Sequence, residues 1–169
     1  MLPQRINLIA YSTLAVIICY IDRVNISVAI IPMQEQFGWS DSQVGLIFSS
    51  FYLGYMLTMA LGGYLSDKFG GKSVLGWGVV LWSIFTILTP VAAHNGFFAL
   101  FFIRILMGIG EGVTFPAWHS LYARWIPFNE RTRAIAFTNS GISIGTIIGY
   151  IGTQTVSYTH LRAHETEAY

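Results

Sequence analysis

Four ionisable residues stand inside stretches otherwise fit only for lipid or a protein interior. Asp22 and Arg23 lie in an apolar run near the amino terminus, and Arg104 and Glu111 lie in the neighbourhood of FFIRILMGIGEGVTFPAWHSLYARW, Phe101 to Trp125. A charge at the centre of a bilayer costs on the order of 2.5–3.5 kcal/mol on insertion scales, so such residues normally face a bundle interior or aqueous cavity and mark an ion or substrate path. Arg104 and Glu111 are seven positions apart. On an α-helix that is roughly 20° around the axis and about 10 Å along it, so they share one face. Asp22 and Arg23 are adjacent, and consecutive helical residues do not face each other, so at least one must look to another helix. Tyr20, Arg23 and Ser27 follow the i, i+3, i+7 stripe of one face, and Arg23 is expected to face the same cavity as Arg104. Arginine stays charged and offers a planar fork suited to a carboxylate or phosphate. Desolvation favours the neutral form of a carboxylic acid and an adjacent arginine favours the ion, so Asp22 and Glu111 are suited to change protonation as their exposure changes. This chemistry points to a solute transporter.

The elements that must position these residues are membrane spans. The chain of 169 residues is 54% hydrophobic and only 10% charged, whereas a soluble domain has about 25% charged residues. A span needs about 20 mostly apolar residues. Five segments qualify: Ile6–Ile31, Gln43–Leu65, Ser73–Ala93, Phe97–Ala117 with a helical continuation toward Trp125, and Ala134–Val156. The connections between them are short. Arg5, Lys68, Lys72, Arg124, Arg131 and Arg133 fall on one side, and Glu35, Asp41 and His94 on the other. Because cytoplasmic loops carry the lysine and arginine excess, the amino terminus is expected inside the cell, in a cell (inner) membrane. The first span continues past the length of a signal peptide with no small-residue cleavage site and reads as a retained helix. A net charge of +1, with no basic run or aromatic platform, gives no indication of a nucleic-acid partner. Cys19 is the lone cysteine; it builds no disulfide or metal site within the chain and is expected only to pack. No nucleophile–base set or metal-ligand cluster supports an enzyme, and no cofactor is implied.

Within the second span Ser49, Ser50, Tyr52, Tyr55 and Thr58 add hydroxyls. Membrane tyrosines are more often belt or packing residues, but Tyr55 lies near mid-depth and is the candidate hydrogen-bond donor to substrate. Gly54, Gly62 and Gly63 are expected to allow close helix approach. The third span has no charge and reads as a lipid-facing or packing helix. Gly108, Gly110 and Gly112 lack the G-x-G-x-x-G spacing and a preceding strand, so they are packing glycines. Pro116 should break the hydrogen-bond ladder and aim the lower half of its helix. His119 is weighed as a proton relay against an ordinary interior histidine, and the ordinary reading is preferred. In span five Gly141, Gly145 and Gly149 form a small-residue stripe for helix contact.

The most specific local signal is the turn from Gly63 to Lys72, GYLSDKFGGK. It resembles the loop between helices two and three of the major facilitator superfamily, G-x-x-x-D-(R/K)-x-G-R-(R/K). Gly63, Asp67, Lys68, Gly70 and Lys72 match, while Gly71 stands where arginine is usual. The resemblance implies a cytoplasmic gate in which Asp67 helps hold two halves of a carrier together. YIDRVNISVA in span one, RILMGIGEGVTFPAWHS in span four and W-x-P-x-x-E-R-x-R after it together resemble the anion:cation symporter family of that superfamily, which includes sugar-acid permeases and phosphate, sialic acid and glutamate carriers. Carried onto these positions, the resemblance implies that Arg23 and Arg104 help hold an organic anion, with Tyr20 and Tyr55 as substrate contacts and Asp22 and Glu111 as the proton-coupling carboxylates. The absence of a G-P pair after Thr146 argues against a drug antiporter.

The pattern covers residues 1–155. The polar segment 156–169 resembles the translated read-through of a sequencing adapter and is read as foreign to the fold, so His160 and His164 receive no role. The expectation is thus an all-α membrane protein: five helices of the six-helix amino-terminal half of a major facilitator carrier. The remaining helices are missing partners, and the fragment is expected to be inactive alone. The parent is read as a symporter of a small organic anion with a proton, the coupling ion remaining open between proton and sodium. A sugar or drug carrier and an ion channel are the alternatives.

Overall fold

The structure, a computed structural model, describes residues 2–167, with side chains described for residues 4–155. The protein is all-α, with helices α1 (Leu2–Phe37), α2 (Asp41–Phe69), α3 (Gly71–His94), α4 (Phe97–Gly112), α5 (Thr114–Trp125) and α6 (Phe128–Glu167). Among the described residues five stretches are long and apolar enough to cross a bilayer, α4 and α5 together forming the fourth. The segment expected to be foreign, 156–169, continues the backbone of α6 to Glu167, and its side chains lie outside the described residues.

The helices outrun the expected spans and the connections shrink. α1 passes through Pro32 to Phe37. It ends at Gly38, whose φ of +67° suits glycine, and Trp39 N donates to Gln34 O at 3.1 Å. Ser40 and Gln43 then form a capping box that starts α2. Only Gly70, with φ +83°, separates α2 from α3, and only Ile126 and Pro127 separate α5 from α6. Polar residues at these ends, expected in loops, are instead helical turns: their backbones are satisfied within the helix while charged side chains extend toward water.

Pro116 acts as the sequence leads one to expect. It has no N–H for the carbonyl of Gly112, the ladder lapses at Val113, and Ala117 N resumes it by donating to Val113 O at 3.0 Å. Glycines set the crossings. A Cβ at Gly108 would overlap the carbonyl oxygen of Phe51, and one at Gly112 would lie 2.5 Å from that of Tyr55, so α2 and α4 pack backbone to backbone. Gly78 and Gly110 join α3 to α4 in the same way, and Gly141, Gly145 and Gly149 seat α6 on α1. Gly63 does not contribute: a Cβ there would meet nothing within 4 Å. α1 and α4 have no such close seam, and the space between them is bridged by side chains.

Charge is divided between the two ends. Arg5 pairs with Glu130 at 3.9 Å and Arg124 with Asp67 at 3.4 Å, tying α1 to α6 and α2 to α5. At the opposite end Gln34 Nε2 donates to Asp41 Oδ1 at 2.7 Å.

Candidate functional site

Cys19 and Arg23 are one turn apart on α1 and therefore share a face. Both reach Glu111 on α4. Arg23 Nε donates to Glu111 Oε1 at 2.5 Å, and the Cys19 thiol donates to the same oxygen at 2.7 Å. Glu111 is fully buried, and its second oxygen, Oε2, has no partner among the described residues. Cys19 was expected only to pack; it is instead a hydrogen-bond donor to a buried carboxylate. The Arg23 guanidinium also lies 4.9 Å from the ring centre of Tyr20, 4.7 Å from Tyr55 and 5.2 Å from Phe51, an aromatic cradle that favours a cation. Its Nη2 has no partner. Tyr20, Tyr55, Arg23 and Glu111 therefore form one cluster.

Arg104 is 3% exposed and, among the described residues, has no carboxylate within ion-pair distance. Its Nη1 faces Met107 Sδ at 3.1 Å, its guanidinium lies 4.9 Å from the Phe51 ring centre, and its Nε has no partner. A buried cation with open donor positions is costly unless a ligand or a moving carboxylate completes it. Arg104 and Asp22 line a cavity of about 290 Å³ between α1, α3 and α4. The single hydroxyl hydrogen of Thr86 on α3 has Trp82 O as its nearer acceptor at 3.0 Å and Asp22 Oδ2 as a longer one at 3.4 Å.

Two expectations are corrected here. Arg23 was expected to face the same cavity as Arg104, but it is not among the residues lining that cavity; the 100° step from Asp22 to Arg23 turns it toward Glu111 and the tyrosines. The third span was read as packing only, yet Thr86 lies against Asp22 and Thr89 lines the cavity. The available signal was two threonines three residues apart on one face of an otherwise apolar helix.

Tyr20 and Tyr55 border a second opening together with Phe115, Pro116 and His119. His119 is exposed at its rim rather than interior. Its Nδ1 is 2.7 Å from Phe115 O, and its ring stacks on Trp118 with centres 3.7 Å apart. Since a carbonyl only accepts, Nδ1 carries the hydrogen.

At the basic end the five motif residues do different things. Gly70 makes the turn. Asp67 pairs with Arg124, both side chains more than half exposed, so the pair contributes roughly 0–1 kcal/mol to stability. Lys68 lies 5.8 Å from the ring centre of Tyr64 and 5.4 Å from that of Phe69. Lys72 is in the first turn of α3, and Gly63 has open space beside it.

Comparison with known proteins places this geometry in context. A sequence model of the Major Facilitator Superfamily matches residues 12–163. Over 147 residues the chain is 49% identical to the probable anion transporter 4, chloroplastic, of Oryza sativa subsp. japonica, covering 87% of this chain and 25% of that protein. It is 48% identical to the ascorbate transporter, chloroplastic, of Arabidopsis thaliana, covering 87% and 27%. It is 47% identical to the sodium-dependent phosphate transport protein 1, chloroplastic, of Arabidopsis thaliana, covering 87% and 29%. The chain thus spans between a quarter and three-tenths of the length of these relatives. Among solved structures, a bacterial homolog of the human lysosomal transporter Spinster, inward-facing and occupied, superposes with a TM-score of 0.81 at 28% identity, covering 87% of this chain and 31% of that one.

Proposed function

The chain belongs to the Major Facilitator Superfamily, and from that premise we propose that it forms part of a carrier that moves a small organic anion, of the sugar-acid, carboxylate or phosphate class, together with a proton. The observation that carries this reading is the Arg23–Glu111 pair, buried at mid-span with one carboxylate oxygen bare. While Glu111 is ionised, it occupies the guanidinium of Arg23. A proton taken on Oε2 leaves Oε1 still able to accept a hydrogen bond but removes the charge, so the pair weakens and Arg23, which stays protonated, turns its fork to the incoming anion. Arg104, with open donor positions in the adjoining cavity that Asp22 lines, is the second arginine for that anion, and Tyr20 and Tyr55 supply hydroxyls beside Arg23. Asp22 is the second proton-accepting carboxylate. Release of anion and proton on the far side restores the pair and resets the empty carrier.

The names of the relatives, which include anion, ascorbate and phosphate transporters, support the anion class. The basic end with Arg5, Lys68, Lys72 and Arg124 is assigned to the cytoplasmic face of a cell membrane by its charge, and Asp67 to the gate there. The chloroplast in the relatives' names offers a competing address, which fractionation of cells making a tagged full-length carrier decides. The five helices alone are proposed not to transport, because they furnish one side of a cavity.

The test is uptake by a full-length carrier containing these helices, reconstituted in proteoliposomes with radiolabelled ascorbate or phosphate. Glu111→Gln should lose uptake driven by an inward proton gradient by at least about tenfold, equal to roughly 1.4 kcal/mol, while keeping exchange of labelled for unlabelled anion. Unaltered proton-driven uptake in the variant overturns the coupling role. Uptake driven by a sodium gradient at fixed pH replaces the proton by sodium.

A further inference from the structure

We propose that the cavity between α1, α3 and α4 is an aqueous cleft that gives protons their own access to Asp22, apart from the face on which Arg23, Tyr20 and Tyr55 take the anion. The inference rests on the proton-coupled reading above and deepens it. The polar positions of the cleft are Asp22, Asn25 and Gln36 on α1, Thr86, Thr89 and His94 on α3, and Arg104 on α4, with apolar side chains making up the rest of its wall. On α1 the lining at Asp22, Asn25, Ala29, Met33 and Gln36 steps by three or four residues, and on α3 Thr86, Pro90 and His94 step by four, so each helix turns one continuous face to the cleft. From Asp22 to Gln36 is fourteen residues, about 21 Å along a helix, enough to run from mid-membrane to its edge given a hydrocarbon core of about 30 Å. Gln36 and His94 are exposed at the helix ends opposite the basic loops. His94 meets the ring of Phe37 edge-on at 5.5 Å, at the mouth.

The volume of about 290 Å³ has room for on the order of ten waters at about 30 Å³ each. Hydroxyls and amides are spaced along it at Thr86, Thr89, Asn25 and Gln36; the two threonines donate to Trp82 O and Phe85 O of their own helix, and Asn25 Oδ1 accepts from Thr153 of α6, which leaves the threonine oxygens and the Asn25 amide N–H groups to meet water. None of the lining comes from α2, α5 or α6 among the described residues, and neither Tyr20, Arg23 nor Tyr55 contributes to it. The charged groups around Asp22 are Arg104 and Glu111 on α4 and Arg23 next to it on α1, with His94 of α3 further up the cleft. Arg104, which lines the cleft with Asp22 and is assigned to the anion above, is common to both sides; outward of it the route to the carboxylate behind α1 and the aromatic-rimmed site of Arg23 in front of it are separate.

The experiment fills the cleft in the full-length carrier with Ala29→Phe and, separately, Thr89→Phe. With radiolabelled ascorbate or phosphate, uptake driven by an inward proton gradient should fall at least about tenfold, while anion exchange, which needs folding and binding but no net proton movement, stays within about twofold. Should a bulky variant fail to insert, Ala29→Cys and Thr89→Cys provide a second measurement: a small cationic thiol reagent added outside should modify them above the unsubstituted background, at a rate unchanged by saturating anion. Proton-driven uptake that survives both phenylalanine substitutions, or protection of both cysteines by the anion, overturns the separate cleft. A carrier that shows no proton-driven uptake before any substitution contradicts the coupling reading itself, and the two failures are therefore distinct.

Discussion

At the scale of residues, one oxygen atom concentrates the account. Glu111 Oε1 accepts from Arg23 and from Cys19, both on α1, while Oε2 is left bare. Removing one partner of a buried ion pair costs about 3–5 kcal/mol because the other charge is stranded, so Arg23 and Glu111 are fixed to each other unless a proton or an anion intervenes. On the coupling proposed above, Cys19 would be a positioning residue: its bond to Oε1 would hold the protonated Glu111 against α1 when Arg23 leaves. A thiol is a weak donor and a hydroxyl a stronger one. Cys19→Ala in the full-length carrier should therefore slow proton-driven uptake several-fold, and Cys19→Ser should restore it, with anion exchange unchanged in both. Equal loss in Ala and Ser would make the residue a packing element only. The four charges themselves were legible in the sequence because lipid makes them expensive. What paired with what was not: the 100° step that separates Asp22 from Arg23 is visible in the chain, but the helix each one meets depends on the crossings.

Those crossings belong to the scale of elements. α2 and α4 approach until backbone touches backbone at Gly54 and Gly108, and this approach places Phe51 and Tyr55 against the arginines. A Gly108→Val substitution would force its side chain into the Phe51 carbonyl, and core overpacking of this kind costs typically about 1–3 kcal/mol. Gly45, in the exposed first turns of α2, has open space beside it, and Gly45→Ala should instead stabilise by up to about 1 kcal/mol through helix propensity. Melting of the two variants in detergent checks the contrast; a Gly108→Val protein as stable as its parent would mean the seam is looser than described. Here the four-residue spacing of Gly141, Gly145 and Gly149 was a good guide to the seam of α6 on α1, and Pro116 to the break, whereas Gly63, expected to pack, has open space beside it. It was a poor guide to helix ends. Asp67, Lys68, Glu130 and Arg131 look like loop residues by polarity, yet each sits in a helical turn whose side chains extend from the bundle. It also undervalued α3, because Thr86 bonds its own helix as any helical threonine can, and that it also lies against Asp22 shows only once the neighbouring helix is placed.

At the scale of the whole molecule, five spans build one wall around a charged middle. The basic residues collect at one end, where Arg124 meets Asp67 and Arg5 meets Glu130; the cleft beside Asp22 reaches toward the other. That polarity was readable from the loop charges alone, whereas the division of the centre into a cleft lined by Asp22 and Arg104 and a cluster of Arg23, Glu111 and two tyrosines required coordinates. The account stands on the claim that anion and proton move together through the release of Arg23 from Glu111. Its most direct test is the pH of a weakly buffered medium around proteoliposomes that hold the full-length carrier, on addition of ascorbate or phosphate. The medium should turn alkaline as protons enter with the anion, and Glu111→Gln should abolish that change while anion exchange persists. Anion entry with no movement of protons, or an unchanged alkaline shift in the Gln variant, would contradict it.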